Sequence, residues 1–199
     1  MSGQVPTPVP LRLGAVVLAG GTAARMDGVD KAAIELGGVT LLERALAATM
    51  SALEVVVVGT EVPTSRPVTF TREDPAGGGP AAGLLAGLDR FWRVPDLVCV
   101  LAVDMPKVNA GTVARLTWAV EADPEVDGAW LVDGDGREQP LAAVYRTSAL
   151  SAARPASRED EHGLPVRRLL GGLRIAVVEP VGEETRDVDT WADLRDLGG

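Results

Sequence analysis

The stretch VVLAGGTAARMDGVDK, residues 16–31, runs an apolar strand into a glycine pair, then into Arg25, Gly28 and Lys31. Its apolar part, residues 15–18, is continuous rather than alternating, as suits a strand covered on both faces. Valine-rich runs of similar length recur at residues 55–58, 68–71, 97–103 and 173–178. Helical patterns lie between them. In TLLERALAATMSAL, residues 40–53, Leu41, Leu42, Ala45, Leu46 and Met50 form one stripe, opened by Thr40 and Glu43 in capping-box spacing. Further helices are predicted over residues 79–92, 109–122, with Asn109 as N-cap, and 189–197.

Strands that alternate with helices imply right-handed crossovers and a three-layer α/β/α sandwich on a mainly parallel, Rossmann-like sheet. Ligands then belong at the carboxyl ends of the strands. Between residues 129 and 146, two strand-like runs flank Asp135-Gly136, a hairpin signal that predicts a small antiparallel β-ribbon or sheet edge. The polar segment 154–164 reads as a mobile loop. We divide the chain into a flexible proline-rich tail, residues 1–12, and a single domain, residues 13–199.

Composition narrows the chemistry. The 199 residues are 46% hydrophobic and suffice for one substantial core. A formal charge of −9 argues against nucleic-acid or anionic-membrane partners, which require a basic face. No apolar run reaches the roughly 18 residues of a membrane span, and the amino terminus lacks a basic-then-apolar signal pattern, so the expected location is cytoplasmic. Cys99, the only cysteine, lies in an apolar run and reads as a buried strand residue; an internal disulfide is excluded. His162 is the only histidine, which leaves little room for triads or histidine-based zinc sites. The remaining chemistry rests on carboxylates, arginines and the two lysines, Lys31 and Lys107.

Gly20 and Gly21 allow a tight turn after the first strand and present backbone N–H groups outward, a geometry that favours anions. Arg25 and Lys31 add full charges, and the combination fits a polyphosphate; a solvated glycine-rich turn is the plainer alternative. The spacing fits neither G-x-x-x-x-G-K-[ST] nor G-x-G-x-x-G. Asp104 ends the run LVCVLAVD, where a carboxylate could hold Mg²⁺ bridging phosphate oxygens, or serve only as a cap. EDPAGGGPAAGLLAGL, residues 73–88, is a flexible loop or a place where backbone approaches a planar base closely. Asp187 and Asp189 in RDVDTWADL fall on one side of an extended segment; Asp189 reads equally as an N-cap or a metal ligand.

LAGGTAARMDGVDK resembles the L-A-G-G-x-x-x-R-M-G-G-x-D-K signature of molybdenum cofactor guanylyltransferases, members of the nucleotide-diphospho-sugar transferase superfamily. GPAAGLLAGL, AVDMP, QPLAAVYR and PVRRLLGGL recur in that family's order, so the resemblance spans residues 15–197. It implies transfer of GMP from GTP to molybdopterin carrying molybdenum, with release of pyrophosphate and Mg²⁺ as cofactor. It also implies transient contact with proteins that deliver the cofactor or mature molybdoenzymes. By the same resemblance Leu18, Ala19 and Gly20 line the guanine and ribose side, Gly21 belongs to the same loop, and Arg25 and Lys31 meet the phosphates. Asp74 takes the place of a nucleotide-contacting aspartate, Gly79 belongs to the nucleotide-binding set, and Asp104 stands at the Mg²⁺ ligand, with Asp189 a second ligand. The catalytic set is Arg25, Lys31 and Asp104. The acceptor surface falls around residues 135–145 and 161–170, with Arg167 and Arg168 facing its phosphate or solvent.

Three positions depart from the family pattern. DVDTW stands where N-x-N-T-P is expected, Gly59 where a nucleotide-contacting asparagine is expected, and Asp27 where a glycine follows R-M. A cytidylyltransferase on the same cofactor, a sugar-phosphate nucleotidyltransferase and a nucleotide-binding regulatory protein without turnover are the competing readings. Gly20, in LAGG rather than LAAG, favours guanine because a glycine lets the backbone approach the larger base.

Overall fold

A computed structural model of the chain describes residues 10–20 and 30–198. β1 (Leu13–Leu18) is buried at every position and pairs in parallel with β4 (Glu54–Val58) on one side and β6 (Leu97–Ala102) on the other. β5 (Thr69–Thr71) extends the parallel part beyond β4. Across β6 lies β8 (Glu138–Arg146), antiparallel to it, then β7 (Gly128–Val132) and β9 (Ile175–Val178), giving the order β5-β4-β1-β6-β8-β7-β9. A separate two-stranded ribbon, β2 (Glu35–Leu36) and β3 (Val39–Thr40), precedes the first helix.

Successive residues of β1 serve opposite layers, as strand pleating requires. Ala15 and Val17 pack with α1 (Leu41–Ala48), α3 (Ala110–Ala122) and α6 (Trp191–Gly198), through residues such as Leu42, Leu116 and Leu197. Val16 and Leu18 pack with α2 (Gly79–Leu88), α4 (Thr147–Ala153) and α5 (Val166–Leu170), through Leu84, Leu150 and Leu169. The three-layer α/β/α sandwich read from the sequence is therefore the observed architecture. Cys99 is fully buried in β6, and burial pushes its thiol up to about 12.

The hairpin predicted over residues 129–146 forms. Gly136 adopts φ 78°, and the Asp133 carboxylate accepts from the N–H groups of Asp135 and Arg137. Its placement differs from the edge that was expected. β8 lies inside the main sheet between β6 and β7, because its apolar stretch through Ala142, Ala143, Val144 and Tyr145 is buried on both faces. Arg146 fastens its end by donating to the carbonyls of Val120 in α3 and Val126 in the turn before β7.

The polar segment 154–164, read as a loop, is loop apart from one helical turn, Glu159–Glu161, and carries several charge pairs. Arg154 makes a two-pronged bond to Asp89 at 2.6 and 2.8 Å and a third to the buried Glu161 at 2.7 Å. The Gly163 N–H donates to the carbonyl of Gly78, so this segment packs against the glycine-rich entry to α2. At the other end, Arg12 is tied to Asp96 through its own N–H, at 2.8 Å, and its guanidinium. α2 lies close on the sheet: a Cβ added at Gly87 would stand 2.6 Å from Val16 Cγ1.

Candidate active site

β1, β4, β5 and β6 point their carboxyl ends to one edge, and the reversed strand β8 begins at that same edge. Proline follows Asp104 and Met105 and ends the β6 run there. Three charged groups from distant parts of the chain meet at this edge. The Lys31 ammonium lies 2.7 Å from Asp189 Oδ1 and 3.4 Å from Asp104 Oδ2. The Lys31 side chain is 16% exposed and Asp189 48%, so the lysine end of the pair is sheltered while the aspartate end faces solvent.

Local sequence places each of them. Asp30 accepts from the Ala32 N–H at 3.0 Å and so starts the single helical turn that carries Lys31. The Val188 N–H donates to the Asp104 carbonyl at 2.8 Å, and Val188 is fully buried. Its neighbours Asp187 and Asp189 are thereby brought near enough for their charges to raise the affinity of the Asp104 carboxylate for a proton. Asp189 does not cap α6. Thr190 takes that role: its hydroxyl accepts from the Asp193 N–H, while the Asp193 carboxylate accepts from the Thr190 N–H. The Asp189 side chain is left for Lys31.

Charge balance in the cluster is uneven. Burial pushes the Asp104 carboxyl above the usual carboxylate range; Lys31 opposes this, and Asp189 and Asp187 reinforce it. Burial works against the Lys31 ammonium, but its bond to Asp189 and the charges of both aspartates hold it above its ordinary value. Among the described residues the charges acting on Asp104 are Lys31 on one side and Asp189 and Asp187 on the other. Among the described residues no three metal-ligating side chains converge. Mg²⁺ is ordinarily held by one or two carboxylates together with substrate phosphates and water, and Asp104 and Asp189, which meet on one lysine, are donors of that kind.

The segment that delivers Asp189 is anchored by a residue that sequence reasoning did not single out. Glu184, 3% exposed, accepts from the Thr112 hydroxyl at 2.6 Å, the Val181 N–H at 2.8 Å and the Arg115 guanidinium. Burial disfavours its charge, yet these donors together hold its carboxyl below the ordinary value. A glutamate in a charged stretch carries no local sign that it will be buried. Lys107 also proves structural, its ammonium donating to the Leu197 carbonyl at the end of α6.

Leu18 and Ala19 are buried, and Gly20 is exposed at the end of β1. The Gly20 N–H does not point outward as expected; with that of Ala19 it donates to the Val58 carbonyl at 2.9 Å. Gly59 lies directly against this turn, since a Cβ there would be 3.0 Å from Ala19 Cβ and 3.3 Å from the Gly20 nitrogen. Asp74 is exposed beyond β5, on the same edge. Gly79 opens α2 at φ 85° with open space where a side chain would be. Gly21, Arg25 and Asp27 lie outside the described residues. Arg167 meets Glu138 at 3.4 Å, so the two segments assigned to an acceptor do come together, beside a groove of about 330 Å³ that Trp130, Pro140 and Leu170 also line.

A mixed seven-stranded sheet between two helical layers, with lysine and aspartates gathered at the carboxyl edge, defines an α/β nucleotidyltransferase. Residues 15–177 match the model of the MobA-like NTP transferase domain, and the chain belongs to that family. It is 32% identical to a molybdenum cofactor guanylyltransferase of Shewanella amazonensis over 69% of this chain and 71% of that one. With the molybdenum cofactor guanylyltransferase of Rhodobacter capsulatus it shares 29% identity over 92% and 94%. Its fold is similar to that of molybdopterin-guanine dinucleotide biosynthesis protein A from Archaeoglobus fulgidus, with TM-score 0.67 at 22% identity, covering 93% and 96%. The chain is an enzyme of molybdenum cofactor biosynthesis that transfers a nucleotidyl group. Among the described residues no helix is long and apolar enough to cross a membrane.

Proposed function

We propose that the chain transfers GMP from GTP to the terminal phosphate of molybdopterin carrying molybdenum, forming molybdopterin guanine dinucleotide and releasing pyrophosphate. The observation that carries this reading is the meeting of Lys31, Asp104 and Asp189 at the ligand edge of the sheet. The names of the relatives support the choice of base and acceptor.

An oxygen of the acceptor phosphate attacks the α-phosphorus of GTP, and the bond from that phosphorus to the oxygen bridging to the β-phosphate breaks. The electron pair leaves with pyrophosphate. The attacking phosphate is already ionised at neutral pH, so no side chain needs to remove a proton. What the protein supplies is alignment and neutralisation of charge. Lys31 and Arg25 meet the phosphates, and a bound nucleotide competes with the aspartates for the Lys31 ammonium. Asp104 and Asp189 would hold Mg²⁺, which when bound neutralises charge on the phosphate oxygens. The turn of Leu18, Ala19 and Gly20 with Gly59, together with Asp74 and Gly79, forms the nucleoside side. Arg167 lines the groove beside β8, and with Arg168 it serves the acceptor.

The test is pyrophosphate release with GTP, CTP, ATP and UTP, each with and without molybdopterin and Mg²⁺. Turnover is expected with GTP alone and only when acceptor and Mg²⁺ are both present. Equal or better use of CTP replaces the guanine assignment with a cytidylyltransferase. In the same assay Lys31→Ala should weaken GTP affinity about tenfold or more, as loss of a charge-assisted contact does.

A further inference from the structure

We propose that Arg72 is a specificity-determining residue that reads the O6 and N7 edge of guanine. This rests on the guanine reading above. Arg72 follows β5 directly, and its guanidinium spans the ends of two strands: Nε donates to the Gly59 carbonyl at 3.3 Å and Nη2 to the Thr60 hydroxyl at 2.6 Å. The Gly59 N–H in turn donates to the Thr71 carbonyl at 2.9 Å, which locks β4 and β5 together at this point.

Gly59 also touches the Ala19-Gly20 turn, so the guanidinium stands within one residue of the backbone assigned to the nucleoside. Gly59 brings no side chain to that wall, and the close approach of Ala19 and Gly20 would make a Cβ there a tight fit. Reading of the base at this end of β4 therefore has to come from a neighbour. Arg72 is the neighbour fixed there, exposed to solvent and carrying more N–H donors than its two bonds consume. Neither bond engages a carboxylate, and among the described residues its guanidinium meets none.

Guanine offers two acceptors, O6 and N7, in the spacing of a guanidinium fork. Adenine and cytosine place an amino donor on the corresponding edge, and donor would face donor. Asp74, two residues further on, supplies a carboxylate of the kind that guanine's N1–H and amino group require. Arginine and aspartate together thus complement guanine and mismatch adenine.

Calorimetric titration of GTP, ATP and CTP with Mg²⁺ into the wild-type chain, Arg72→Ala and Arg72→Lys tests this. Wild type should prefer GTP, and both variants should lose about tenfold to a hundredfold of that preference while ATP binding holds. Lysine should not rescue, because it keeps the charge and lacks the fork. Equal weakening of all three nucleotides, or an unchanged preference in Arg72→Ala, overturns the role of Arg72 and leaves the guanine reading standing. Absence of any GTP preference in the wild type overturns both.

Discussion

Lys31 and Asp189 lie 158 positions apart in the chain and 2.7 Å apart in space. The contact can be kept without its charge. Asp189→Asn retains an acceptor for the ammonium and restores the amide of the family pattern. It should turn over within about tenfold of wild type, whereas Asp189→Ala should fall further. Steady-state pyrophosphate release ranks the two; an asparagine variant as impaired as the alanine one would show that the carboxylate itself is required.

Burial disfavours the charge of Asp104 in the folded chain and raises its carboxyl above the usual carboxylate range. Its removal should therefore cost little stability. Asp104→Ala should unfold within a few degrees of wild type and lose at least about a hundredfold in turnover, the scale for loss of one charge-stabilising group. Thermal melting and pyrophosphate release measure the two halves; wild-type rates would remove Asp104 from the centre.

Gly87 sits where α2 rests on β1, with Val16 2.6 Å from any added Cβ. Val16 and Val58, the latter 3.2 Å from the same Cβ, are both buried in the sheet and neither can move freely. Gly87→Ala should lose about 1–3 kcal/mol despite its better helix propensity. Denaturant unfolding followed by circular dichroism gives the value, and a stabilised variant would show that the helix can lift from the sheet.

Glu184 predicts how stability changes in acid. Its folded value lies below the ordinary one, so the unfolded chain takes up its proton first as pH falls. Its contribution is complete above the unfolded value of about 4.3 and drains away as pH drops through the lower folded value. Asp89, held low by Arg154, acts in the same direction and window. Melting temperatures measured between neutral pH and pH 3 should fall more steeply for wild type than for Glu184→Gln.

Valine runs announced the parallel strands because burial on both faces leaves a continuous apolar signature. β8 was harder. Its pattern marks a hairpin, but nothing local says that the strand will be inserted between β6 and β7 rather than left at an edge. α4 and α5 were not predicted, since seven and five residues hold too little periodicity to separate from loop. In the site, Lys31 and Asp104 stood out by position after a strand or loop, and Asp189 by its pairing with Asp187. The choice between cap and site for Asp189 turned on Thr190 and Asp193, a contest that only hydrogen-bond geometry resolves. Glu184 was illegible because its partners, Thr112 and Arg115, are 72 and 69 residues away.

The segment after β9 is fastened to the rest by a few anchors: Glu184 on α3, the Val188 amide on Asp104, and Lys107 on the Leu197 carbonyl. Among its described residues no strand joins the sheet. Such a region opens locally at a lower free energy than the sheet beneath it, and every opening carries Asp189 away from Lys31. Amide exchange in α6 therefore registers how firmly the charged centre is assembled, and whatever settles between Asp104 and Asp189 will slow it.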